Sequence, residues 1–169
     1  MVVFISNLRM IRFGIKDAKP VSTPMVHHFK LTSSQSPSTD EEEKFVVEVP
    51  YASVVGSVMY SMVCTRPNLA NAMSLVSRFM GNLEKTHLEA LKWILRYLKG
   101  TQTICLAHEA RSRGDNPMIG YVDSDFAESI DIRKSLTGYT FTLLSTAISW
   151  ETNLQVMVAL QQLKSNILL

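Results

Sequence analysis

Leu88, Leu91, Leu95 and Leu98 recur at the spacing of a single helical face, and Gly100 closes the run. Side chains three and four residues apart stack on one side of an α-helix, so the spacing predicts an amphipathic helix that ends at Gly100. Thr86-His87-Leu88-Glu89 fits a capping box at its start, and glycine after the last apolar residue is a common stop. Downstream that period is lost. Apolar residues fall instead into short runs of strand length: Thr103 to Ala107, Met118 to Val122, Gly138 to Leu143 and Ala147 to Trp150. The last two suit a hairpin across Leu144-Ser145-Thr146, after a turn-rich crossing from Arg111 to Pro117. A single change of period near residue 100 predicts an α+β protein, with helices first and an antiparallel sheet after them.

Two further helices are predicted upstream. From Tyr51 to Val63, one face carries Tyr51, Val55, Val58 or Met59, and Met62, with Gly56 as an interior weak point. Thr65-Arg66-Pro67 then restarts the chain, with Thr65 as a cap and Pro67 in a first turn, where its missing N–H is no loss. Leu69, Ala72 or Met73, Val76, and Phe79 or Met80 give the second helix its buried stripe. Residues 17–50 read as a loose connection, because Pro20, Pro24, Pro37 and Pro50 interrupt it and Ser33 to Thr39 has little to bury. Within it, Asp40 to Glu43 suits either the positive end of a short helix or a solvated linker. Val156 to Leu160 is apolar enough for a core, and the residues after it suffice for a short helix at most. A sheet of three strands with one short helix leaves one face thinly covered.

With 169 residues, 46% of them apolar, the chain can hold one domain with a real core or two small incomplete ones. The net charge of +2 is too small to imply nucleic-acid binding, but its distribution is uneven. Residues 31–50 hold one base against five acids, and residues 51–114 hold eight bases against three acids. The second block suits a phosphate backbone, or is an ordinary solvated helix surface. Cys64 and Cys105 form neither a disulfide framework nor a Cys-x-x-Cys pair; they read as core or half-buried thiols of an intracellular protein. The opening apolar run is too short for a signal peptide. No run reaches the roughly 18 apolar residues of a membrane span, so no membrane partner is expected, and cytoplasm and nucleus both stay open.

Asp123 and Asp125, in Gly120-Tyr-Val-Asp-Ser-Asp-Phe126, are paired carboxylates beside a strand. If the strand continues, alternation puts both on one face, where they could ligate a hard divalent cation. The competing role is a turn whose aspartate caps the next segment. A two-metal site needs more carboxylates from separate elements, and the later acids are Glu128, Asp131 and Glu151. His27 and His28 lack a third ligand at suitable spacing, and with His87 and His108 they read as surface residues. No Gly-x-Ser-x-Gly elbow, Cys–His motif or glycine-rich nucleotide loop is present. Arg66, Arg78, Lys85, Lys92, Arg96 and Lys99 are the candidate phosphate contacts. Trp93 and Tyr97 offer either base stacking or core packing.

Several segments, in order, resemble one family. Arg12-Phe-Gly-Ile-Lys-Asp-Ala-Lys-Pro-Val-Ser-Thr-Pro24 is similar to the stretch after the reverse-transcriptase palm in copia-type long-terminal-repeat retrotransposon Pol polyproteins. Pro50-Tyr-Ala-Ser-Val-Val-Gly-Ser-Val-Met-Tyr60, Cys64-Thr-Arg-Pro-Asn-Leu-Ala70, Val76-Ser-Arg-Phe-Met80 and Ala90-Leu-Lys-Trp-Ile-Leu-Arg-Tyr-Leu-Lys-Gly-Thr101 resemble the helical region leading into ribonuclease H. Gly120-Tyr-Val-Asp-Ser-Asp-Phe-Ala127, Arg133-Lys-Ser-Leu-Thr-Gly-Tyr139 and Ala147-Ile-Ser-Trp150 resemble the opening hairpins of that domain. The resemblance implies four segments. Residues 1–50 are the end of the reverse-transcriptase region and a linker, and 51–100 a helical connection region. Residues 101–160 are a truncated ribonuclease H-like antiparallel sheet, and 161–169 a divergent tail.

The resemblance further implies a parent that copies RNA into DNA and degrades the RNA strand of the hybrid with Mg2+. The polymerase site, with its tyrosine and paired aspartates, would precede residue 1. Asp123 would be the first catalytic carboxylate of ribonuclease H, here vestigial, with Asp125 its common neighbour. Where the family places a Glu-Ala-Glu-Tyr helix start, this chain has Lys164 and Asn166, and further carboxylates would lie beyond Leu169. Asn68 and Ala127-Glu128 also depart from the family's usual aspartate and glycine. The expectation is therefore an inactive polyprotein fragment with no cofactor of its own. The alternative is a small nucleic-acid-binding module, contacting an RNA–DNA hybrid or DNA through Arg66, Arg78, Lys92, Arg96 and Lys99. The remaining polyprotein domains are the other candidate partners.

Overall fold

The computed structural model describes residues 15, 17–26, 29, 31–32, 50–81, 83–107, 118–125, 136–155 and 163–168, and for Ser124, Asp125 and 163–168 the backbone alone. It divides into two compact units, Met1–Ile104 and Cys105–Leu169. Helices occupy the first and an antiparallel sheet the second, so the α+β class holds. No helix among the described residues is long and apolar enough to cross a membrane.

The first unit contains α1 (Tyr51–Thr65), α2 (Ala70–Val76) and α3 (Lys85–Gly100), with 3-10 turns at Pro67–Leu69 and Ser77–Phe79. The predicted faces are the buried ones. Leu88, Leu91, Leu95 and Leu98 of α3 pack with Leu69, Met73, Val76 and Phe79, and with Tyr51, Val54, Val55 and Val58 of α1. Met59 and Met80, the alternatives on those stripes, are exposed instead. Along α1, Ser57, Ser61 and Thr65 each return a hydroxyl hydrogen bond to the carbonyl four residues earlier, at 2.9, 3.1 and 3.4 Å. These bonds satisfy the hydroxyls without help from water, which lets Ser61 sit buried in an apolar face. Tyr51 donates its hydroxyl to the Val76 carbonyl at 2.9 Å, closing the C-terminal end of α2.

Three details of this unit depart from the sequence reading. Thr65 is the last residue of α1, and Arg66 takes the position before Pro67, which does open a helical turn. The capping box of α3 lies two residues earlier than Thr86: Glu84 is the N-cap and His87 its partner at the third helical position. The Nδ1 of His87 accepts the Glu84 N–H at 3.1 Å, which is the part a glutamate or glutamine oxygen would otherwise play. The third departure is the segment read as a loose connection. Its described part behaves as a strap on α3. Leu31 is buried in the helical core, as is Ile15 just before the segment, and Ala18, Val21, Met25 and Phe29 pack against that core. Residues Asp40 to Glu43 lie outside the described residues.

In the second unit, β1 (Ile119–Asp125), β2 (Leu136–Leu143), β3 (Thr146–Leu154) and β4 (Leu163–Leu168) form one sheet in the order β3-β2-β1-β4. All neighbours are antiparallel. Three of the four predicted strands are present, and the segment Thr103 to Ala107 is not a strand: residues 101–103 turn and 104–107 are irregular. The expected divergent tail supplies β4 instead, so the sheet has four strands where three were anticipated. The β2–β3 hairpin turns on Leu144 and Ser145, both at positive φ (53° and 62°), and the register shifts between Phe141 and Thr142, leaving Ile148 of β3 as the extra residue. A two-residue turn with both central residues in that region matches the twist of the flanking strands, and asparagine and glycine adopt it at least cost. Leu136 is the one fully buried hydrophobic residue among the described residues of this unit. Arg111 to Pro117 and Val156 to Leu160 lie outside them.

The core leaves clear expectations. Leu95→Ala should destabilise the helical unit by about 2–5 kcal/mol, the usual cost of a leucine-sized cavity, and denaturant melts followed by helical circular dichroism measure it. Two glycines should respond in opposite directions. A Cβ at Gly56 meets nothing within 4 Å, whereas one at Gly100 falls 2.8 Å from Pro20 Cβ. Gly56→Ala should therefore gain roughly 0.5–1 kcal/mol from helix propensity, and Gly100→Ala should lower the melting midpoint by pushing the strap away.

Candidate functional site

Residues 119–125 alternate as a regular strand, so Asp123 and Asp125 share a face by register, as their spacing predicts. Gly120 is buried and Val122 half-buried, while Tyr121 and Asp123 are exposed, which puts Asp123 on the open face of β1. Its cross-strand partners are Gly138 on β2 and Lys164 on β4, with Thr152 next along the same row. Glu151 pairs with Tyr139, which pairs with Val122. That row is one residue displaced, so Glu151 lies on the opposite face from Asp123. Glu128 and Asp131 lie outside the described residues. Among the described residues no three His, Cys, Asp or Glu side chains group to hold a metal ion. Among the described cross-strand neighbours of Asp123, namely Gly138, Lys164 and Thr152, none is a carboxylate that could join it on a divalent cation.

Glu151 has a setting of its own. Tyr139 donates its hydroxyl to Glu151 Oε2 at 2.8 Å and Asn153 donates its amide to Oε1 at 2.6 Å. Two donors favour the ionised carboxyl, with Asn153 first and Tyr139 second, and hold its titration below the ordinary carboxylate value. The same bond to Glu151 raises the titration of the Tyr139 hydroxyl.

The basic residues on the helices are mostly engaged within the fold. Arg66 is 5% exposed and directs its guanidinium at Thr101, with Nη1 donating to Oγ1 at 3.2 Å and Nη2 to the carbonyl. Thr101 Oγ1 in turn donates to the Tyr97 carbonyl at 2.8 Å, so the arginine helps close the C-terminus of α3. On the outer face of α3, three donors hold the strap by its carbonyls. Trp93 Nε1 reaches Thr23 O at 2.9 Å, Arg96 Nε reaches Lys19 O at 2.7 Å, and Lys99 Nζ reaches Ala18 O at 2.9 Å. Phe29 meets Trp93 edge to face at 5.9 Å, and the Arg96 guanidinium lies 5.0 Å from the Trp93 ring centre. Asn68 donates to the Tyr97 hydroxyl. Of the other candidates Arg78 and Lys92 are half-buried and Lys85 is exposed.

Two sequence expectations are corrected here. His87 is not a surface residue: it is fully buried, with its ring stacked on Phe79 at 4.0 Å and 13° between planes. Its role as the cap partner draws it inward. His27, His28 and His108 lie outside the described residues. Cys64 and Cys105 are exposed free thiols, not core residues. Cys64 follows Met59, Tyr60 and Val63 on the outward side of α1, and Cys105 follows the end of the helical unit.

The chain is 53% identical over 150 residues to the retrovirus-related Pol polyprotein from transposon TNT 1-94 of Nicotiana tabacum, covering 88% of this chain and 11% of that polyprotein. It is 36% identical over 149 residues to the retrovirus-related Pol polyprotein from transposon RE1 of Arabidopsis thaliana, covering 86% of this chain and 9% of that one. It is also 45% identical over 112 residues to the Secreted RxLR effector protein 161 of Plasmopara viticola, covering 66% of this chain and 78% of that protein. The chain thus spans about a tenth of the length of the two polyproteins it matches. No protein-family profile and no solved structure matches it.

The Glu151 cluster sets a pH expectation. A carboxyl whose titration is lowered by folding contributes stability above the ordinary carboxylate value, and loses it as pH falls through the lowered midpoint. Asn153→Ala should shift the Glu151 midpoint upward, and Tyr139→Phe should do so by less, following the order of the two donors. Carboxyl carbon NMR titration of the two variants and the parent reads this directly.

Proposed function

We propose that this chain is a fragment of a retrovirus-related Pol polyprotein of a transposon, that it corresponds to the end of the reverse-transcriptase region and the opening of a ribonuclease H-like domain, and that it is catalytically inactive by itself. The ordered motifs from Arg12 to Trp150 support the assignment of region. A helical unit followed by a sheet whose β1 carries Asp123 is consistent with it. The observation that carries the inactivity is the register of β1: Asp123 lies between Gly138 and Lys164, and neither is an acid. Hybrid cleavage in the parent family uses Mg2+ to activate water and to stabilise the leaving oxygen. Asp123 and Asp125 come from one strand, and with glycine and lysine flanking Asp123 they have little with which to clamp both.

A second reading, a nucleic-acid-binding module, rests on the excess of eight bases over three acids in residues 51–114. Counterion release would make such binding fall steeply with salt. Its strongest donors compete with internal partners, since Arg66, Arg96 and Lys99 already bond to carbonyl oxygens. That places it behind the inactive-fragment reading.

The decisive assay uses the 169-residue chain, a labelled RNA–DNA hybrid, and magnesium or manganese, with Asp123→Asn as control. No cleavage above background is expected from either protein. Cleavage by the parent that vanishes in Asp123→Asn would overturn the inactive reading, whereas equal cleavage by both would identify a contaminant.

A further inference from the structure

We propose that His87 is a proton-sensitive latch on the start of α3, holding the first turn of the helix when neutral and releasing it when protonated. Among the described residues it is the one histidine, it is fully buried, and it bridges two elements. Its ring stacks on Phe79 of the preceding 3-10 turn, while its Nδ1 accepts the N–H of Glu84 at the cap. An accepting Nδ1 carries a lone pair, so the hydrogen bond assigns the ring proton to Nε2. The imidazolium has N–H at both positions. Its Nδ1–H would face the Glu84 N–H, donor against donor, and the cap would lose its bond in a place that water does not reach.

The surrounding charges act in both directions. The Glu84 carboxylate at the cap favours the cation, and a positively charged ring also gains from the face of Phe79. Against it stand the positive end of the α3 dipole, Arg78 beside Phe79, and Lys85 at the first helical position. The Glu84 side chain is already committed to the backbone N–H of His87 in the reciprocal half of the box, and the Phe79 stack exists in both states. Of the contacts described, the Nδ1 bond is the hydrogen bond that protonation turns into a clash of two donors, and that loss sets the sign. Stability held by the neutral ring is present above the ordinary histidine range, near 6.5, and is lost as pH falls through it.

The test compares thermal melts of the full chain and of His87→Gln at pH 7.5 and 5.5. A glutamine at the third helical position can close the same box and does not titrate. The parent should lose roughly 2–4 °C more than the variant over that interval, and parallel losses would overturn the proposal. A second measurement stands even where the variant folds poorly. Nitrogen NMR of the parent at pH 7.5 should show a bare Nδ1 and a protonated Nε2, with the Glu84 amide resonance moving at the same midpoint as the ring. A ring protonated at Nδ1 at pH 7.5, or a Glu84 amide indifferent to the ring, would refute the latch.

Discussion

The helical unit depends on α3 being bonded on two sides at once. Its inward face buries Leu88, Leu91, Ile94, Leu95 and Leu98, which hold α1 and α2 by apolar contact. Its outward face, which an amphipathic helix ordinarily gives to water, is taken by the strap through Trp93, Arg96 and Lys99. Removing the apolar contact would leave the strap nothing rigid to bind. Both ends of α3 are closed by side chains from outside the usual repertoire, a histidine at the start and a buried arginine at the finish. The His87 N–H at the start of the helix and the Tyr97 carbonyl at its finish thus find side-chain partners within the fold.

Legibility in the sequence followed the range of the information. The leucine face of α3, the stripes of the two shorter helices and the strands β1, β2 and β3 are local patterns of period 3.6 or 2, and each is visible in a short window. The cap of α3 lies two residues before the position its sequence suggests, because Thr86 and Glu89 carry the common cap signature, whereas a histidine accepting through Nδ1 does not. The strap was illegible for a different reason. Its prolines and serines point to a linker, and the donors that order it are 70 to 81 residues away. The tail Leu163-Lys-Ser-Asn-Ile-Leu168 has no clean alternation and becomes a strand by pairing with β1. The hairpin was visible from its flanking strands alone, since Leu144-Ser145 lacks the asparagine or glycine that normally marks such a turn.

The candidate site shows the same division. That Asp123 and Asp125 share a strand face follows from a spacing of two. What flanks Asp123 does not, because register is settled between strands: Gly138 and Lys164 are 15 and 41 positions away in sequence (138 − 123 and 164 − 123). The basic residues were legible as charges and not as partners. Composition identifies an arginine at 66 or 96, but only the packed helices reveal that Thr101 and Lys19 already accept its hydrogen bonds.

The strap reverses the order in which this chain is made and the order in which it can be completed. Translation delivers Ala18, Lys19 and Thr23 first, yet the side chains that hold them arrive 81, 77 and 70 residues later. Contacts of that separation must wait for the loop between them to close. The early segment emerges with its apolar Val21, Met25 and Phe29 still lacking their helical partners, and stays so until α3 has formed. Sequence that arrives first is therefore the last part of the unit to be secured, and until then it is the stretch most open to proteases and to wrong partners.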